Sequence, residues 1–276
     1  MREFIRKCGN MALDLAAPDG LYCACCGKIT DRSRTYGLCN DCMKGIKWIG
    51  ARKCAKCGKR LSDMNPGDRC FSCREHEHSF DCGYTCAEYG THERAMIYSL
   101  KYDGRSDIAD KIGEIMFDRM SAEFGAEELS SMYDIVLPVP VHRSKRRIRG
   151  YNQAGLIAGS FAARAGLRCN DNILYRKRGT AKMKALDPDQ RRENIRGAFA
   201  VRDFGRNDVS GRRILLIDDI YTTGATVDEL AHILKEPCSK LKNNRADNGP
   251  EQRGASRVDV LTFAAGGDIV KDINKD

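Results

Sequence analysis

Two groups of residues in this 276-residue chain have types and spacings that could do chemistry. The first is the adjacent pair Asp218 and Asp219, which follows the apolar run Ile214, Leu215, Leu216, Ile217 and precedes Thr222-Thr223-Gly224-Ala225-Thr226. Four apolar residues in a row fit a central parallel strand covered on both faces. Beyond the loop, Val227, Leu230, Ala231 and Leu234 share one face of a helix. Backbone N–H groups of so small and hydroxylated a loop can close on a phosphate at the positive end of that helix. The two carboxylates, at the carboxyl end of the strand, can accept hydrogen bonds from a diol or hold a divalent cation. A bare acidic pair would mean no more than a buried strand running into a Thr-capped helix. The loop that follows makes the stretch a phosphosugar site.

The second group is cysteine. Of fourteen cysteines, eleven lie at or before Cys82, and eight of these form CxxC pairs. Cys23, Cys26, Cys39 and Cys42 recur 31 residues later as Cys54, Cys57, Cys70 and Cys73, and Gly27 recurs as Gly58. A CxxC turn followed by Gly puts two thiolates on one side of an ion, and a second turn completes the tetrahedron. Four pairs at fixed spacing argue for structural zinc over a redox dithiol or an iron–sulfur cluster. The spacing leaves sequential and interleaved pairing both open. Cys25 falls out of the repeat register, and His76 and His78 read as solvated loop residues. Cys82 and Cys86, like Cys8, Cys169 and Cys238, read as small packing residues.

The net charge of +9 is concentrated in residues 134–213, which carry +12 and lead into the acidic pair. Such a field suits a polyanionic small ligand and also a nucleic-acid strand. No apolar run approaches the ~18 residues of a membrane span, and residues 1–20 lack a signal-peptide core, so the chain is expected in the cytoplasm with no membrane insertion.

The elements that must position these groups read as a cysteine-rich module over 1–79, after a short amphipathic stretch in 1–20, and an α/β domain over 80–276. In the second domain, residues 80–104 read as strands and then a helix, and 106–122 as a helix; a turn follows at 123–131. Tyr133 to Val141 reads as a buried strand that must stop or bulge at its Pro-Val-Pro step. The basic run Arg143, Lys145, Arg146, Arg147, Arg149 then precedes a helix near Asn152. That run leaves the carboxyl end of a strand, so a pyrophosphate clamp competes with a solvated basic face, and Gly150 lets the backbone near Arg149 approach an anion. Strands are expected at 173–175, 197–201 and 258–264, a mobile basic lid over 176–197, and a surface insertion at 236–256.

The stretch RILLIDDIYTTGAT resembles the phosphoribosyl diphosphate (PRPP) signature of the type I phosphoribosyltransferases. With the cysteine pairs, PVPVHRSKRRIRGYNQ and RKRGTAKMKALDPDQRRENIRGAF in the same order, the chain resembles the ComF family over roughly residues 20–235 and again at 258–264. The resemblance implies a type I phosphoribosyltransferase fold, an open parallel sheet flanked by helices, behind an amino-terminal zinc finger, and a link to uptake of transforming DNA. It implies that Asp218 and Asp219 bind the ribose hydroxyls of PRPP, as the catalytic pair, and that Tyr221, Thr222, Thr223, Gly224, Ala225 and Thr226 form the phosphate loop. Arg149, and less strongly Lys101, would meet the pyrophosphate, with Mg²⁺ as cofactor and zinc on the eight paired cysteines. The family's usual Gln three residues after the loop threonine, here Thr180, is Met183 in this chain, and the 236–256 insertion is a second departure. Two activities follow as alternatives: transfer of phosphoribose to an acceptor, or a PRPP-sensing adaptor that binds single-stranded DNA or a recombination partner.

Overall fold

The structure is a computed structural model that describes residues 21–30, 35–179, 188–202, 209–237 and 253–268. The amphipathic stretch in 1–20, Thr180 and Met183 of the expected lid, and residues 238–252 of the expected insertion lie outside the described residues.

The cysteine-rich module is mostly turns, with two short helices, α1 (Asn40–Gly45) and α2 (Phe71–Glu75), each entered through a cysteine, Cys39 and Cys70. The α/β part then runs β1 (Gly83–Glu88), α3 (Thr91–Tyr102), α4 (Asp107–Phe124), α5 (Ala126–Met132), β2 (Ile135–Pro138), α6 (Arg143–Arg149), α7 (Gln153–Ala165) and β3 (Leu174–Arg176). It continues through α8 (Pro188–Ile195), β4 (Phe199–Val201), β5 (Arg213–Tyr221), α9 (Ala225–Lys235) and β6 (Arg257–Ala265). Four strands form one all-parallel sheet in the order β1-β6-β5-β2, and β3 pairs antiparallel with β4.

Strand β5 explains how the sheet is covered. Leu215 and Ile217 face a core with Ile112, Ile115 and Met116 of α4 and Ile157 and Phe161 of α7. Ile214 and Leu216 face the other core, with Val227, Leu230, Ala231 and Leu234 of α9. Side chains of a strand alternate between faces, so a strand covered on both reads as an unbroken apolar run. The cysteine-rich module joins both cores. Cys23, Leu38, Cys42 and Ile46 belong to the first, and Cys54, Cys57, Cys70 and Cys73 to the second.

Several elements differ from the sequence-based expectation. The turn expected at 123–131 holds a helix, α5, because Leu129 is fully buried and anchors it behind Gly125 (φ 87°). The basic run is itself a helix, α6, since Arg and Lys are good helix formers. The His142 Nδ1 caps its start by accepting from the Ser144 N–H (3.3 Å), and Gly150 (φ 83°) ends it in the left-handed conformation. Residues 188–195 of the expected lid are helical, with Pro188 at the first position where proline's missing N–H costs nothing. Residues 80–104 supply one strand, β1, and the helix α3. Strand β5 does not stop at Ile217: β6 stays paired with it as far as Tyr221↔Ala265, which draws both aspartates into the sheet.

Candidate functional site

The cysteine clusters form first from local geometry. Gly27 (φ 71°) and Gly58 (φ 73°) follow the second cysteine of each leading CxxC, where the turn needs a left-handed residue. Cys39 N–H donates to Cys23 Sγ at 3.3 Å, and Cys70 N–H donates to Cys54 Sγ at 3.3 Å, so the repeat is geometric as well as sequential. The Sγ atoms of Cys23, Cys26, Cys39 and Cys42 lie within 4.8 Å of one another, and so do those of Cys54, Cys57, Cys70 and Cys73. Pairing is therefore sequential, not interleaved. Four converging thiols match what tetrahedral zinc takes, and a filled four-thiolate shell leaves no position for a reacting water. These are two zinc-binding sites of structural type.

The second cluster is welded to the sheet. A β-carbon on Gly58 would sit 2.6 Å from the Gly83 carbonyl, and one on Gly83 would sit 2.8 Å from Cys57 Cα, so both glycines allow a backbone contact that no side chain could. Lys59, only 6% exposed, lies over the Tyr221 ring at 5.2 Å and donates to the Thr222 carbonyl at 2.6 Å. His78 is not a solvated loop residue: its ring is buried, stacked on Phe80 at 4.8 Å, and Phe80 in turn meets Tyr221 edge-on at 6.3 Å. His76 is half-buried and lies 2.6 Å from an Arg192 nitrogen. Cys86 is a buried packing residue as expected, whereas Cys82 and Cys169 are half-buried.

At the carboxyl ends of β2 and β5 the charged residues converge. Asp219 is 8% exposed and ion-paired with Lys101, in the last turn of α3. Burial alone would raise the Asp219 pKa, but Lys101 outweighs it and holds the carboxyl below the usual carboxylate range. Burial alone would lower the Lys101 pKa, and Asp219 reverses that too. Asp218 differs. Burial first, then the neighbouring Asp219 charge, push its carboxyl well above the usual range. Lys145 is held below the ordinary lysine value by burial and then by the charges of Arg176, Arg149 and Lys101, while Asp219 pulls the other way. The guanidinium of Arg149 lies over the Tyr102 ring at 5.1 Å. Lys101, Lys145, Arg149 and Arg176 thus form a cationic rim around two carboxylates. Such a site can take a polyanion on the rim and a diol or hard cation on the acids.

The loop closes the site. Thr222 is exposed, Thr223 and Thr226 are half-buried, and Gly224 and Ala225 are buried. Gly224 (φ 81°) is the residue before α9, and a β-carbon there would collide with the Tyr221 hydroxyl and ring. Among the described residues, buried polar atoms of residues at or next to this end of the sheet that have no hydrogen-bond partner include Tyr221 OH, Thr223 Oγ1, Asn152 Oδ1 and Gln153 Nε2. Asn152 spends its other amide atom on the Val139 carbonyl (3.1 Å), which places it at the end of β2. An orphaned buried polar group costs ~1–3 kcal/mol, so each of these atoms can gain from a polar ligand that reaches it.

The structure thus gathers Asp218, Asp219, Lys101 and Arg149 at one site and puts Tyr221 to Thr226 beside them. Reading the sequence missed Lys59 and the individual roles of Arg176, Asn152 and Gln153. The motif RGYNQ held the signal for the last two, since a polar pair opening an otherwise apolar helix has no packing reason to be there.

An open parallel sheet flanked by helices, with an acidic pair and a small-residue loop at its carboxyl end and a zinc-binding cysteine-rich module ahead of it, is the architecture that the sequence resemblance implied. Residues 12–74 match the double zinc ribbon domain family. The chain is 26% identical over 200 residues to competence protein F of Haemophilus influenzae, covering 72% of this chain and 85% of that protein. It is 28% identical over 210 residues to competence protein ComFC of Streptococcus pneumoniae (74% and 83%), and 25% identical over 199 residues to DNA utilization protein YhgH of Escherichia coli K12 (72% and 84%). Over most of its length the chain is similar to these competence and DNA utilization proteins. Among solved structures it is similar to the glutamine PRPP amidotransferase of B. subtilis complexed with ADP and GMP, at 16% identity over 59% of this chain and 39% of that chain, with a TM-score of 0.31, a likeness too slight to argue from. No described helix is long and apolar enough to cross a membrane.

Proposed function

We propose that this chain binds PRPP at the carboxyl ends of β2 and β5 and transfers its phosphoribosyl group to an acceptor, in a role linked to DNA uptake. The observation that carries this reading is the acidic pair at the carboxyl end of β5, with Asp219 ion-paired to Lys101 and the charges of Lys145, Arg149 and Arg176 acting around it. The ribose hydroxyls would donate to Asp218 and Asp219, and the loop from Thr222 to Thr226 would hold the phosphate against the start of α9. Arg149, Lys145 and Arg176 would balance the pyrophosphate as it leaves with the bonding electrons of the C–O bond. Hard carboxylate oxygens crowded at Asp218 and Asp219 also fit Mg²⁺, which when bound would neutralise charge on the leaving group. Titration calorimetry with PRPP, with and without Mg²⁺, tests binding, and pyrophosphate release across nucleobases and amines tests transfer. Binding lost in Asp218→Ala, Asp219→Ala supports the site. No binding by the unaltered protein overturns it.

A second reading keeps PRPP binding but not transfer, and makes the protein an adaptor for single-stranded DNA. The exposed basic face of α6, with Arg143, Lys145, Arg146 and Arg147, favours it. Oligonucleotide affinity that falls steeply with salt, with a slope reduced when Lys145, Arg146 and Arg147 are neutralised, supports this reading. DNA uptake in cells that survives the Asp218, Asp219 change would separate it from the first.

A further inference from the structure

The two zinc ribbons are not equivalent. All four cysteines of the second cluster are buried, whereas in the first Cys26 is exposed and Cys39 half-buried. The first cluster also has neighbours that the second lacks. Cys25 stands where the repeat has Lys56, so its thiol has no counterpart 31 residues later. The Cys25 Sγ, the Cys42 Sγ and a His92 ring nitrogen all lie within 4.8 Å of one another. Cys42 is therefore common to two sets of converging soft donors.

The placement of this second set is specific. Cys25 Sγ also reaches the His92 carbonyl at 3.6 Å, which ties it to the first turn of α3. The His92 ring packs against the end of α1 so closely that a β-carbon on Gly45 would collide with it. Gly45 is thus the opening through which the imidazole reaches the cysteines. A half-buried thiol and imidazole within 4.8 Å of the Cys42 thiol are ligands of the right type for the same ion.

We infer that the first ribbon carries a reserve coordination set, Cys25, Cys42 and His92, into which its zinc ion moves when the Cys26 thiolate is withdrawn. Three protein donors with one of the remaining cysteines satisfy tetrahedral zinc. Cys25 gives its proton to water as it becomes a ligand. The ribbon would then stay folded after attack on its one exposed thiolate, and the ion would come to rest on α3, the helix whose last turn carries Lys101.

The test uses the full zinc-loaded chain under limited treatment with iodoacetamide, followed by native mass spectrometry and peptide mapping. Cys26 is expected to be alkylated first, and the singly modified protein to keep two zinc ions. The same modification in Cys25→Ser, His92→Ala protein should leave one. Loss of an ion on alkylation of Cys26 in the unaltered chain overturns the inference, as does retention of both ions in the double variant. Three zinc ions in the untreated protein would overturn it as well, because Cys42 would then bridge two occupied sites. A second measurement does not depend on alkylation. Cobalt(II)-loaded Cys26→Ser protein should keep two cobalt ions, with absorption bands shifted to shorter wavelength as a nitrogen donor joins the first site. One cobalt ion, or two with an unshifted spectrum that is also unchanged in Cys26→Ser, His92→Ala protein, counts against it.

Discussion

Lys59 of the second zinc ribbon and Thr222 of the loop after β5 are joined by a direct hydrogen bond, Nζ to carbonyl oxygen, at 2.6 Å and 163 residues apart in the chain. The lysine is 6% exposed and lies over the Tyr221 ring, so the loop at the end of β5 is held from outside its own strand and helix. Hydrogen bonds to charged groups contribute about 1.5–3 kcal/mol. Lys59→Met keeps the aliphatic stem and removes the ammonium, both the donor to Thr222 and the charge over the Tyr221 ring. It should weaken PRPP binding by roughly tenfold or more, about 1.4 kcal/mol, while both zinc ions are retained. Calorimetry and zinc analysis on the same preparation check this, and unchanged affinity would detach the ribbon from the site.

The two aspartates should respond in opposite ways to amide substitution. Asp219 is paired with the largely buried Lys101, so Asp219→Asn leaves an uncompensated ammonium and should cost on the order of 3 kcal/mol of stability at neutral pH. Asp218 is raised by burial and by Asp219, so it opposes folding once it must ionise, and Asp218→Asn should raise the melting temperature. The sign follows from which state ionises first. Below the unfolded-state value of about 4 both states hold the proton and Asp218→Asn changes nothing. As pH rises towards the raised folded value, the unfolded chain ionises alone and stability contributed by the protonated Asp218 is lost. The advantage of the Asp218→Asn variant therefore grows to a plateau. For Asp219, whose folded value is lowered, the wild-type advantage is present above the unfolded value and disappears as pH falls through the folded one. Melting curves from pH 3 to 8 separate the two; both variants should lose PRPP binding.

Much of this site was legible because its signals are local. The run Ile214–Ile217, two acids and TTGAT specify strand, charge and loop within one stretch, and the 31-residue cysteine repeat specifies two metal sites without reference to the rest of the chain. What was not legible depends on docking between distant segments. Lys59 in KCGKR looks like any surface lysine until the ribbon packs on Tyr221. Arg176 looks like the first residue of a basic loop, yet it closes β3, with its guanidinium over the Phe199 ring at 5.3 Å. The helix α6 hid because seven residues of nearly uniform charge have no apolar period to read. The end of β5 was placed four residues early because acids in a strand look like a stop. Only the pairing with β6, which continues to Ala265, carries the strand past them.

Losing one cysteine ligand should separate the two ribbons in function. The second cluster packs in the same core as Tyr221, Val227 and Leu230, residues on either side of the loop between β5 and α9. Cys57→Ser, which removes one buried thiolate, should lose one zinc ion and abolish PRPP binding. Cys26→Ser in the first ribbon should keep both ions and leave PRPP affinity within about twofold, since the exposed Cys26 has no part in that core. Zinc content and calorimetry on both variants make the comparison. Equal loss of PRPP binding in the two would mean that the ribbons act as one unit.

Gly224 should be intolerant of any side chain. Its φ of 81° lies in the left-handed region, where a non-glycine residue costs about 1 kcal/mol or more. Space is the harder limit, because a β-carbon would run into the Tyr221 ring, and that ring is fixed by Phe80 on one side and Lys59 on another. Relief would require the loop to move away from β5, carrying the start of α9 with it. Gly224→Ala should therefore lower PRPP affinity by at least tenfold with only a modest fall in melting temperature, because the strain falls on a loop and not on the core. Tyr221→Phe, Gly224→Ala should remain as weak as the single variant, since the ring as well as the hydroxyl lies within 3.1 Å of the added carbon. Tyr221→Ala, Gly224→Ala frees the space and should recover part of the affinity. Calorimetry on the four proteins measures this coupling, and a Tyr221→Ala, Gly224→Ala protein no better than Gly224→Ala alone would leave backbone conformation, not the Tyr221 contact, as the reason this position is glycine.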